Sequence, residues 1–116
     1  MTIQEAAQRS GLTAYTLRYY ERIGLIRPVG RDGNGHRDYS EQDLVWLEFL
    51  TKLRTTGMPI ADMCRYAELM RGGSGTAGER LEMLEEHRER VRSRIAELAQ
   101  DLKALDHKID SFRARV

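Results

Sequence analysis

At 116 residues, the chain has room for one compact domain, or for a small domain with a helical arm, and its net charge of +1 gives no overall bias toward nucleic acid. A composition of 41% apolar, 32% charged and only 7% aromatic residues fits a helical, surface-rich protein and argues against a large enzyme with a deep pocket. No apolar run nears the roughly 18 residues that cross a bilayer, the first residues show no leader pattern, and the lone Cys64 excludes an internal disulfide, so a cytoplasmic protein without membrane contact is expected.

Thr2 and Glu5 stand at capping-box spacing ahead of Ile3, Ala6 and Ala7, which predicts a first helix over about 3–9. Gly11 suits a tight turn, and Thr13 is a good N-cap for a second helix that runs to about Arg22 before Gly24. Two short helices joined this closely read as a helix-turn-helix. Leu25–Val29 and His36–Tyr39 then read as two short strands around the turn-forming run Gly30–Gly35, giving a β-hairpin wing. Ser40 caps a third helix with Leu44, Trp46, Leu47, Phe49, Leu50 and Leu53 at mixed spacing of three and four, ending at Gly57. Pro59 opens a fourth helix, in whose first turn a proline is tolerated, running to about Met70.

Gly72–Gly75 is the one flexible break, and Thr76 with Glu79 makes another capping-box spacing. Beyond Gly78 there is neither glycine nor proline. Leu81, Leu84, Arg88, Val91, Ile95, Leu98, Leu102, Leu105, Ile109 and Phe112 follow one another in steps of three and four, a heptad stripe broken only by Arg88. So long a helix with so narrow a stripe needs a partner helix. The expected organisation is a helix-turn-helix head over 1–71, a linker over 72–78 and a coiled-coil dimerisation helix over 79–116.

Residues 1–40 hold six Lys/Arg against four Asp/Glu, whereas residues 72–116 hold nine of each, so the slight basic excess lies at the front. On a wheel of the second helix with Leu17 in the core, Tyr15, Arg18, Tyr19 and Arg22 fall on the opposite half, and Thr13 and Tyr20 lie nearer the core. Arginine forks and rigid tyrosine hydroxyls suit a phosphate backbone. The alternative is that the tyrosines pack against the wing and the arginines are solvated.

The segments Ile3–Ala7, Gly11–Thr13, Thr16–Ile26 (with its Leu-Arg-Tyr-Tyr-Glu run followed by Gly-Leu), Gly35–Ser40 and Leu53–Met58 together resemble the MerR-type regulators, closely over 1–71 and in pattern over 76–113. The resemblance implies a mainly α fold: a winged helix-turn-helix of four helices plus a β-hairpin, followed by a long helix in an antiparallel coiled coil. It implies a homodimer that sets two recognition helices into successive major grooves of a palindromic promoter operator and activates or represses RNA polymerase there by distorting the DNA in response to a signal. By carry-over, Arg18 and Tyr19 contact DNA, Tyr15 and Thr16 read bases, and Arg37 and Tyr39 sit on or under the wing. Thr13, Arg22 and His36 complete the expected contact set.

The signal is less legible. Metal-sensing branches of the family carry two or three cysteines near the end of the long helix, and this chain has none after Cys64, so no metal and no cofactor are expected. The electrophile-sensing branch places a lone reactive cysteine near the position held here by Lys52. Cys64, beside Arg65, is the one thiol left; a small-molecule effector would act around Cys64, Tyr66 and Met70, with Met63, Leu81 and Leu84 as further lining, although the same residues serve equally as packing. His36, His87 and His107 show no ligand spacing. No phosphate-binding glycine loop, nucleophile motif or paired carboxylates mark an enzyme. An effector-independent architectural protein that bends DNA with the same head stays open as the alternative, as does a coiled-coil module with no DNA role.

Overall fold

The computed structural model describes residues 1–27 and 29–116. Among these described residues there are five α-helices in the order α1 Ile3–Ser10, α2 Ala14–Arg22, α3 Glu41–Thr55, α4 Ile60–Arg71 and α5 Ala77–Arg113, with a 3-10 turn at Gly73–Thr76 before α5. Two compact units result, Met1–Arg80 and Leu81–Val116.

The caps explain where the first three helices begin. Thr2, Thr13 and Ser40 each accept the backbone N–H three residues on, from Glu5, Thr16 and Asp43. Of the three, Ser40 completes a reciprocal box, with the Asp43 carboxylate taking the Ser40 N–H at 2.9 Å. At the first helix the box is half made, because the Thr2 hydroxyl donates to Glu5 Oε1 instead. Gly11 ends α1 at φ 76°, and its N–H closes on Ala7 O, which sends the chain straight into α2.

Leu44, Leu47, Leu50 and Leu53 are all buried. Steps of three residues turn the stripe by about 60° each on a helix of about 100° per residue. The buried face therefore winds around half of α3, and α3 packs against α1 on one flank and α4 on another. Trp46, Phe49 and Tyr66 form a ring cluster that ties α3 to α4, with centroids 5.7–6.0 Å apart. The remaining core comes from Ala6, Leu17 and Tyr20 of the first two helices and from Leu25, Ile26, Val29, Tyr39, Met58, Met63 and Ala67.

Three expectations need correction. Among the described residues there is no β-strand, and the wing is a loop closed by a single antiparallel bridge between Arg31 and Arg37. Pro28, expected within the first strand, lies outside the described residues. Asp32 N–H to His36 O and Asp38 N–H to Gly30 O flank that bridge, but the backbone groups a longer ladder would need are used elsewhere. The N–H groups of Leu25 and Ile26 both turn back to Tyr20 O, Leu25 O accepts from the Trp46 indole at 2.9 Å, and the Asp32 carboxylate takes the N–H groups of Asn34 and His36. Pro59 is the N-cap of α4 rather than its first turn. Thr76 and Glu79 do not form a box: the Thr76 hydroxyl bonds the carbonyl of Leu69, and Glu79 reaches Arg65 at 3.7 Å. The long helix accordingly starts at Ala77 and runs through Gly78 for 37 residues, about 55 Å.

Leu47→Ala should destabilise the head by about 2–5 kcal/mol through the cavity it leaves. Val45→Ala, at a side chain 66% exposed on the same helix, should stay within about 0.5 kcal/mol. Urea unfolding of the two variants checks the assignment of the α3 face.

Candidate nucleic-acid interface

The candidate interface is built on α2. Burial of Leu17 and Tyr20 fixes which way the helix faces. Tyr15, at 73% exposure, stands out from the surface, Arg18 and Arg22 are exposed, and Tyr19 and Thr16 are half-buried. The Arg22 guanidinium lies 5.6 Å from the Tyr19 ring centroid, a cation–π contact that braces both side chains. Arg18 has no hydrogen-bond or ion-pair partner among the described residues. The hydroxyl of Thr13 is spent on its cap and on Thr16 Oγ1 at 2.9 Å, which orients the Thr16 side chain at the start of the helix.

The loop Gly30–Tyr39 lies alongside. Its turn is held by Asp32, whose carboxylate accepts from Asn34 N at 2.8 Å and His36 N at 3.1 Å. Those two backbone donors pull the Asp32 carboxyl below the ordinary aspartate range. His36 is exposed on the same turn, its Nδ1 3.9 Å from Asp32. Met1 and Tyr39 exchange backbone hydrogen bonds at 2.7 and 2.8 Å, which anchors the exit of the loop.

Arg37 joins loop and helix. Its Nε donates to Glu21 of α2 at 2.7 Å, with side-chain exposures of 27% for Arg37 and 13% for Glu21. The hydrogen bond to this carboxylate raises the Arg37 pKa further. Among the described residues neither terminal nitrogen of Arg37 has a hydrogen-bond partner. Tyr39, assigned to DNA from the sequence, is instead a core residue at 2% exposure whose hydroxyl is buried without a hydrogen-bond partner among the described residues. Burial lifts its pKa, with the charges of Glu21, Arg37 and Arg18 close enough to act on it. A ring in that position supports the loop from beneath and does not reach a ligand at the surface.

Sequence reasoning passed over Glu21. The signal was available: Glu21 lies four residues after Leu17, on the core side of α2, where a carboxylate needs a partner. The effector candidates separate. Tyr66 is buried and stacks on Trp46 at 16°, so it serves the core; Met70 is exposed; Cys64 is half-buried with Sγ 4.0 Å from Ile23 O. Arg65, expected to act on Cys64, pairs with Glu79.

Residues 1–69 match the model of the MerR HTH family regulatory proteins, and residues 44–108 match the model described as MerR, DNA binding. The chain belongs to the MerR family of DNA-binding transcriptional regulators. It is 42% identical over 112 residues to an uncharacterised HTH-type transcriptional regulator of Haemophilus influenzae, covering 97% of this chain and 83% of that one. It is 44% identical over 91 residues to the HTH-type transcriptional regulator AdhR of Bacillus subtilis, covering 78% of this chain and 65% of AdhR. The crystal structure of HiNmlR, a MerR family regulator lacking the sensor domain and bound to promoter DNA, superposes with a TM-score of 0.89 at 40% identity, covering 97% of this chain and 89% of that one. The matched relatives are transcriptional regulators, and this MerR-family chain is a regulator rather than an enzyme.

The Asp32 turn carries a pH signature. Its folded carboxyl lies below the unfolded value of about 3.9, so the stability it lends the loop is complete above that value and fades as pH falls through the lower, folded one. In an NMR titration the Asn34 and His36 amides should follow a midpoint below that of a free aspartate. A midpoint at or above it would remove the carboxylate from its role in the turn.

Proposed function

We propose that the protein acts in the cytoplasm as a homodimer that binds a palindromic promoter operator, with α2 of each copy in a major groove and the Arg31–Arg37 loop on the flanking backbone. In this reading it controls RNA polymerase by distorting the operator. The observation that carries it is the face of α2: exposed Tyr15, Arg18 and Arg22 around half-buried Tyr19, flanked by Arg37, whose terminal nitrogens have no hydrogen-bond partner among the described residues. Arginine and tyrosine donors of this kind hold phosphates and fix register, while Tyr15 and Thr16, at the N-terminal end of the helix, are placed to meet base edges. The dimer rests on α5, where Leu81, Ile95, Leu98, Leu102, Leu105, Ile109 and Phe112 remain 47–60% exposed along one stripe. Leu84 and Val91, half-buried, continue it, and Arg88 interrupts it with its guanidinium turned to Glu89 at 3.8 Å. An apolar stripe of that length is stable in water when a second helix covers it. Signal input through a small-molecule effector distinguishes this reading from an architectural DNA-bending protein, and Cys64 and Met70 are the exposed or half-exposed groups of α4 through which it would act.

Two experiments test the reading. In sedimentation the protein should be a dimer at micromolar concentration, and Leu98→Asp with Leu102→Asp should turn it into a monomer by placing charges in the seam; a monomeric wild type would sink the dimer. In fluorescence anisotropy, Arg18→Ala should weaken binding to all duplexes alike and flatten the dependence of log K on log salt by about 0.9 for each phosphate it no longer neutralises. Tyr15 or Thr16 substitutions should change which duplexes are enriched from a random pool. A sequence-selective loss at Arg18 would reverse the assigned roles.

A further inference from the structure

An arginine proposed to touch DNA, paired with a mostly covered carboxylate, poses an electrostatic puzzle. A negative charge so near the interface repels phosphate, so its removal should strengthen binding. The geometry gives the opposite answer. Glu21 takes only the Nε–H of Arg37, with Oε1 at 2.7 Å and Oε2 at 3.4 Å, and leaves both terminal nitrogens without a partner among the described residues. Held from behind at Nε, a guanidinium plane can still present its outer edge to an anion. Among the described residues the loop that carries Arg37 has no strand; the bridge to Arg31 with its two flanking backbone hydrogen bonds, the Asp32 turn and the Met1 anchor hold it, and none of these reaches α2. Beneath it the Tyr39 hydroxyl is buried without a hydrogen-bond partner among the described residues, so it makes no bond that fixes the guanidinium. Glu21 is the one carboxylate among the described residues that is hydrogen-bonded to Arg37, and it belongs to α2 itself.

We propose that Glu21 is a positioning residue for DNA: through the Nε of Arg37 it locks the loop to α2, so that the loop arginine and the α2 face meet the phosphate backbone as one rigid unit. The proposal rests on the reading that Arg37 contacts phosphate. The experiment measures binding of the full chain to a random-sequence 30-base-pair duplex across a salt series, with thermal unfolding of each variant alongside. Arg37→Ala should reduce the salt slope by about 0.9 per protomer, the value of one phosphate neutralised. Glu21→Ala, although it removes a negative charge, should weaken binding and reduce the slope by the same amount. Combining the two should bring no further loss. Glu21→Gln keeps an oxygen for Nε and should retain the wild-type slope. Arg37→Lys keeps the charge but lacks the fork that faces both ways, and should behave like Glu21→Ala; this variant carries the test if Glu21→Ala fails to fold. Tighter binding or an unchanged slope in Glu21→Ala, with the slope reduced in Arg37→Ala, would overturn the positioning role. An unchanged slope in Arg37→Ala itself would overturn the phosphate contact on which it rests.

Discussion

The ion pair between Glu21 and Arg37 is the constraint on which the proposed DNA-facing side of this head depends. It joins two elements that have little else to hold them together at the surface: a nine-residue helix and a glycine-rich loop with a single bridge. Exposed pairs contribute at most about 1 kcal/mol, and breaking a fully buried one costs about 3–5 kcal/mol. With both partners mostly but not fully covered, this pair falls between those limits, and its main effect is to fix geometry. Close to the same joint lies the apolar ring of Tyr39, buried and near enough for the Glu21 and Arg37 charges to act on it. Polar specification and apolar support together give the loop a defined position without a sheet.

What the sequence disclosed, and what it did not, follows from the range of the interactions involved. The helices were legible because their signals are local: Thr13 and Ser40 at caps, Gly11 and Gly57 at ends, and the leucine steps of α3. The exposed face of α2 was legible because a helix wheel needs only Leu17 as its reference. The two expected wing strands are not found among the described residues, and Leu25, Ile26 and Val29, apolar and few, show a pattern shared by a strand and by a buried irregular segment. What decides between them is where the backbone donors go, and Tyr20 O and the Asp32 carboxylate claim them. The resemblance put Arg37 and Tyr39 on or under the wing and among the contacts to DNA, and burial separates the two, with Tyr39 in the core and Arg37 part-exposed. Thr76 and Glu79 have the spacing of a box, but Leu69 O and Arg65 compete for them from outside the helix.

The effector residues show the same limit. Tyr66 and Met70 are four apart on one helix, a spacing that groups them on paper. The ring cluster with Trp46 and Phe49 draws Tyr66 into the core, while Met70 stays outside. A residue's contacts across helices, rather than its neighbours along one, determine whether it can receive a ligand.

The proposed distortion of the operator sets a requirement on the head that the joint meets. Bending or untwisting a site costs on the order of 1–6 kcal/mol by elastic estimates, and protein–backbone contacts have to supply it. A free arginine gives up about 2 kcal/mol of rotamer entropy when it is immobilised on a phosphate. Arg37 is already confined by Glu21 in the unbound protein, and Arg22 and Tyr19 brace each other on the next turn. Contacts restrained in advance lose less on binding, so more of their energy is left to deform the duplex. They also transmit force: a clamp on a loose loop would follow the DNA, whereas a clamp locked to α2 obliges the DNA to follow the head. If Arg37 meets phosphate as proposed, the nearby carboxylate favours binding, because the stiffness it gives Arg37 outweighs the repulsion it adds.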